Sequence, residues 1–136
     1  MRFVFLVLSL GLLTSCSSTT SRRDPGVDFK KFTRYYVEHR LNDNHATDAM
    51  IAVDLRARGL EVGHGPLTMM PETTEVLVTY DARWTWDFRS YLINLEITAH
   101  QVRTEKMIAT GTYHHPGLTP KAPEKMIHSL LNRLLN

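Results

Sequence analysis

From Val76 to Phe88 the even positions are apolar throughout: Val76, Val78, Tyr80, Ala82, Trp84, Trp86 and Phe88. The odd positions between them carry Thr79, Asp81, Arg83, Thr85, Asp87 and, one step on, Arg89, with Leu77 the one apolar member. A period of two turns alternate side chains to opposite faces, so this stretch reads as a strand with one covered and one polar face. The parity then reverses, with Tyr91, Ile93, Leu95, Ile97 and Ala99 apolar and Asn94, Glu96, Thr98 and His100 polar. An antiparallel hairpin turning near Asp87–Ser90 brings both apolar sets to one side and places both tryptophans in the buried stripe. Pairing Trp86 with Tyr91 puts Asp81 opposite Glu96, whereas a shift of two residues sets Arg83 against Glu96. The first register has the better turn, because Asp87 can open a type I turn over Asp-Phe-Arg-Ser. Carboxylates directly opposite each other are unfavourable unless a cation or proton lies between them. Asp81 and Glu96 are therefore a candidate metal or acid–base pair, with Arg83 as a diagonal neighbour able to neutralise it.

Elsewhere the period changes. Ala46, Ala49, Met50, Val53, Ala57 and Leu60 fall on one helical face, Asp43 or Asn44 can cap its start, and Gly59 suits its end. Asp54 and Arg58 form an i,i+4 pair on the outside. A second helix after Pro123 carries a wide stripe of Met126, Ile127, Leu130, Leu131, Leu134 and Leu135. Phe29–Glu38 reads as a strand, Leu60–Val62 as a short one, and "MIATGTYHH" as the strand returning from the turn "RTEK". "GHGPLTMMPETT", Gly63–Thr74, is a loop whose Met69 and Met70 either plug the end of the core or adapt to a partner. "PGLTPKAP" is a second loop. These elements predict an α+β fold, a mostly antiparallel twisted sheet of four to five strands with two helices packed on one face.

The amino terminus changes the picture most. Arg2 precedes an apolar run from Phe3 to Leu13, too short for a bilayer-spanning helix of about 20 residues and suited to a secretory signal. It ends in Leu13-Thr14-Ser15-Cys16, which resembles the bacterial lipobox. The resemblance implies a signal peptide over residues 1–15, diacylglycerol on the Cys16 sulfur and an N-acyl chain on its new amino group. No other cofactor is expected. Ser17 stands where an aspartate would, by resemblance to enterobacterial lipoproteins, mark retention in the inner membrane, so the expected address is the periplasmic side of the outer membrane. Residues 16–28, the lipidated cysteine and "SSTTSRRDPGVD", read as a flexible tether reaching about 40 Å when extended, with Arg22 and Arg23 solvated or near anionic headgroups. Residues 29–136 then form a single periplasmic domain.

Processing leaves 121 of the 136 residues and lowers the net charge from +2 to +1 by removing Arg2. This balance gives no basic patch of the kind nucleic acid requires. Cys16 is the single cysteine, so no intramolecular disulfide supports the fold. The seven histidines, His39, His45, His64, His100, His114, His115 and His128, are scattered, without H-E-x-x-H spacing. His114 and His115 are adjacent, and neighbours on a strand point to opposite faces. No nucleophile elbow, P-loop or dinucleotide fingerprint occurs.

The lipobox, "VDFKKFTRYYV", a helix ending in "RGLEV", "EVLVTYDARWTWD", "YLINLEI", "IATGTY" and "PEKMIHSLLNRLL" together resemble a group of small bacterial envelope lipoproteins without an established activity. In that group the hairpin turn carries a glycine that "RTEK" lacks. The resemblance implies the α+β fold and carries over Cys16 alone as a functional position. The expected function is a non-enzymatic, membrane-anchored accessory or binding module of the cell envelope, touching the bilayer through Cys16 and an envelope protein through Asp81, Arg83, Thr85, Asp87, Asn94, Glu96 and the Gly63–Thr74 loop. The alternatives are a metal-binding protein or hydrolase using Asp81 and Glu96, and a carrier of a lipid or other apolar ligand.

Overall fold

A computed structural model of the protein describes residues 16–87, 89–116 and 121–136, with the backbone alone at residues 87 and 89. Residues 1–15, Phe88 and residues 117–120 of the "PGLTPKAP" loop lie outside the described residues. In chain order the elements are β1 (Ser18–Arg23), β2 (Arg34–Glu38), α1 (Thr47–Ala57), β3 (Glu61–Gly65), β4 (Val76–Asp87), β5 (Arg89–Gln101), β6 (Lys106–His114) and α2 (Pro123–Leu135). Short 3-10 turns occupy Phe29–Lys31 and Leu67–Met69.

The fold is α+β, but the sheet is mixed and six-stranded, in the order β1-β6-β5-β4-β2-β3. The expectation of four to five mostly antiparallel strands is corrected in two places. First, α1 is a crossover, so β3 returns parallel to β2, and the following loop carries β4 to the other side of β2, again parallel. Second, the segment expected as a flexible tether supplies a strand. Ser18–Arg23 pairs antiparallel with Ala109–His114 and covers the edge that β6 would otherwise expose. Its side chains are polar because neither face of an edge strand here demands an apolar set. Arg23 instead lies 5.0 Å over the Phe29 ring and donates to the Asn136 carbonyl.

Both helices cover one face. Val37 of β2, Val76 and Val78 of β4, Leu95 and Ile97 of β5 and Ala109 of β6 meet Ile51 and Leu55 of α1 and Leu130, Leu131 and Leu134 of α2 in one buried cluster. Full burial of each large side chain contributes about 1.5–3 kcal/mol, and this layer holds the domain together. The α2 stripe is as its periodicity predicts. The α1 face is not. Thr47, Asp48, Ile51, Ala52 and Leu55 are buried, while Val53 is 62% exposed. Gly111 lets α2 approach closely, because a Cβ there would stand 2.8 Å from Leu130 Cδ1 and 3.0 Å from the Thr20 carbonyl.

The β4–β5 hairpin follows the first of the two registers as far as Arg83, with Asp81 opposite Glu96 and Arg83 opposite Asn94. A bulge between Arg83 and Trp84 then shifts the pairing by one, so Trp86 faces Ser90 rather than Tyr91. Trp84 is half-buried, but Trp86 is 72% exposed: the hairpin tip runs past the helices, and no roof remains to bury it. Met69, 72% exposed, does not plug the core either. The loop bearing it crosses the outer face, where the buried Tyr36 donates its hydroxyl to the Pro66 carbonyl at 2.8 Å. In the "RTEK" turn Glu105 takes the left-handed conformation a glycine would supply, with φ 57°.

Candidate functional site

The outer face of β4, β5 and β6 presents the residues expected from alternation. Asp81, Arg83 and Glu96 are exposed, Asn94 and Thr85 half-buried, and the side chain of Asp87 lies outside the described set. Threonines fill much of the rest. Thr79 faces Thr98, and Thr98 Oγ1 lies 3.1 Å from Thr110 Oγ1. Asp81 and Glu96 do sit opposite each other, yet the cluster of three metal-ligating groups found among the described residues does not include them.

That cluster forms on the other face, at the carboxyl ends of the parallel strands. His39 directly follows β2, and its amide donates to the Gly65 carbonyl at 2.8 Å, so the β2–β3 ladder continues to this residue. His64 lies on β3 opposite Val37, on the helix side of the sheet. Asp48 stands in the first turn of α1 directly above both. Its Oδ1 accepts from His39 Nδ1 at 3.1 Å and its Oδ2 lies 2.8 Å from His64 Nδ1. The Asp48 side chain is only 7% exposed, and the two rings 33% and 35%. Burial alone would raise the Asp48 pKa, but the hydrogen bonds from His64 and His39 outweigh it and hold the carboxyl below its ordinary value.

A second carboxylate adjoins the first. Asp43 accepts the backbone amides of His45 at 2.8 Å and Thr47 at 2.9 Å and the Tyr80 hydroxyl at 2.6 Å. The amide bonds fix the loop entering α1, where Ala46 adopts φ 53°. Desolvation pushes the Asp43 pKa up, and the Tyr80 hydroxyl and these amides bring it net below the ordinary value. Burial and the bond to Asp43 push the Tyr80 hydroxyl far above the usual phenol range. One oxygen or nitrogen from each of His39, Asp43 and Asp48 falls within 4.8 Å of the others. Beside them opens a cavity of about 200 Å³ lined by Arg40, Asp43, His45, Tyr80, Asp81 and Trp84, among others. His45 stacks on Trp84 at 3.8 Å between ring centroids and 7° between planes. Trp84 Nε1 is buried without a hydrogen-bond partner among the described residues.

The sequence reading treated the histidines as scattered and saw Asp43 only as a cap. The partners of Asp48 lie nine and sixteen residues away and meet it only because β2 and β3 run parallel beneath α1. The available signal was Asp48 itself, a charged residue between apolar positions of the first helical turn. His114 and His115 behave as alternation predicts, one exposed and the other buried.

Neither a protein-family model nor a curated protein matches the sequence. Among solved structures, two of the PelC dodecamer from Paraburkholderia phytofirmans superpose with TM-scores of 0.62 and 0.61, both at 13% identity, covering 88% of this chain and 95% of theirs. A PDZ domain protein from Parabacteroides distasonis superposes at 0.51 with 11% identity, over 87% of this chain and 34% of that one. No helix among the described residues is long and apolar enough to cross a membrane. At these identities the likeness is one of fold: this chain folds as PelC does.

Proposed function

We propose that the protein is a lipid-anchored, non-enzymatic module of the bacterial envelope, tethered through Cys16 on the periplasmic side of the outer membrane. It binds an envelope protein through the outer face of β4–β5–β6. The observation that carries this reading is the one-sidedness of the sheet. Both helices pack on one face, and the other offers Asp81, Arg83, Asn94 and Glu96 among threonine hydroxyls, with no helix over them among the described residues. Such a surface makes hydrogen bonds and charge pairs readily while burying little apolar area, which suits a reversible contact. Cys16 is exposed and stands two residues ahead of β1.

The anchor is tested by Cys16→Ser, which is expected to move the protein from the membrane to the soluble fraction. The contact is tested by a photoreactive residue at Thr85 in intact cells, followed by mass spectrometry. A recurrent envelope protein as adduct supports the reading. An adduct with a second copy of the chain replaces the partner with a homo-oligomer, as in the PelC dodecamers. A folded, membrane-bound molecule that yields no protein adduct sinks it.

A further inference from the structure

We propose that His39, Asp43 and Asp48 form a binding site for a divalent transition cation of the zinc class, with His64 positioning Asp48. This goes beyond the binding-module reading and uses the opposite face of the sheet. A tetrahedral zinc-class ion bonded at about 2.0–2.2 Å sets its ligand atoms about 3.3–3.6 Å apart. His39 Nδ1 and Asp48 Oδ1 already lie 3.1 Å apart, and all three side chains offer an atom within 4.8 Å of the others, so side-chain movements of about 1 Å close the site. The donor set, one imidazole nitrogen with carboxylate oxygens, favours a borderline ion over calcium or magnesium, which take all-oxygen shells. His39 binds as the neutral imidazole, its one ring proton residing on the nitrogen turned away from the ion. Two carboxylates against one dication balance the local charge.

The supporting shell is in place. Ligating carboxylates are normally held by further hydrogen bonds, and here His64 Nδ1 lies 2.8 Å from Asp48 Oδ2 while the Tyr80 hydroxyl sits 2.6 Å from Asp43 Oδ2. Three protein ligands leave a coordination position open, the arrangement of sites that bind water or a small ligand rather than closed structural ones. A cavity of about 200 Å³ that Asp43 itself lines adjoins the three ligands and offers room for a water or small ligand.

The test is calorimetric titration of Zn²⁺ into the tag-free, chelator-stripped full-length protein in detergent, alongside Co²⁺ absorption spectroscopy. One equivalent is expected to bind, and Co²⁺ should show the visible bands of a low-coordinate nitrogen–oxygen site. His39→Ala and Asp48→Asn should abolish that equivalent, and His64→Ala should weaken it by about 10–100-fold. His128→Ala, which removes an exposed histidine outside the cluster, should change nothing. Circular dichroism of each metal-free variant separates lost binding from lost folding, and the wild-type Co²⁺ spectrum stands independently of every variant. The proposal is overturned if the wild type takes up no ion, if Co²⁺ shows only its aqueous spectrum, or if folded His39→Ala and Asp48→Asn proteins bind as the wild type does.

Discussion

Asp48 gives the molecule a defined response to acid. Its carboxyl and that of Asp43 both lie below the ordinary 3.8 in the folded state, so the unfolded chain binds these two protons more tightly. Their contribution to stability is complete above 3.8 and is lost as pH falls through the lowered folded values. Urea midpoints measured from neutral pH downward should therefore drop below pH 3.8, and drop less steeply in Asp48→Asn. A second residue-scale contrast concerns the tryptophans. Trp84 stacks on His45, and Trp84→Ala should cost about 2 kcal/mol or more. Trp86 is 72% exposed, and Trp86→Ala should stay within about 0.5 kcal/mol in the same denaturation experiment. Alternation alone assigned both rings to the core. It reads which face a side chain takes but not where along a strand the covering layer ends.

At the scale of elements, legibility followed side-chain size. The α2 stripe consists of large aliphatic residues and admits one orientation. The α1 candidates were mostly alanines, which fit a core or a surface. The real face was set by Ile51 and Leu55 and by Asp48, which His39 just past β2 and His64 on β3 meet. The hairpin register holds from Val76 to Arg83 and fails between the bulge and the tip, where Asp87 pairs with Arg89 instead of opening the expected Asp87–Ser90 turn, since a bulge leaves no mark on a binary pattern. β1 was illegible for a related reason: its stabilisation comes from backbone pairing with β6, to which polar side chains contribute no pattern. Hydrogen exchange should accordingly show protected amides within Ser18–Arg23, where a flexible tether would show none. Where α2 meets the sheet, Gly111→Ala should destabilise by about 1–3 kcal/mol in chemical unfolding. The added methyl would press on the Thr20 carbonyl as well as on Leu130 and Leu134, and a backbone atom cannot swing aside.

For the whole molecule, the fold class was readable from the alternation of strand and helix periods, but the parallel core of the sheet was not. Its direction depends on α1 acting as a crossover and on the loop after β3 passing across the outer face, both long-range events. The likeness to PelC, over 88% of the chain at 13% identity, shows how little of this arrangement depends on particular residues. The pairing of β1 has a further consequence. Ser18, His114, Asn94 and Arg83 form one row across four strands, and beyond that row the β4–β5 hairpin continues for several residues to Trp86 and the turn. A lipid on Cys16, as proposed above, would be two residues from the row, a leash of about 7 Å rather than 40 Å, while the hairpin projects about 10 Å past the row at strand spacing. On that proposal the domain would have little slack, and the hairpin tip would be held toward the bilayer, bringing the exposed Trp86 indole near the headgroups where tryptophan partitions well. Brominated lipids in the supporting bilayer should quench Trp86 in the anchored protein and leave it bright in Cys16→Ser.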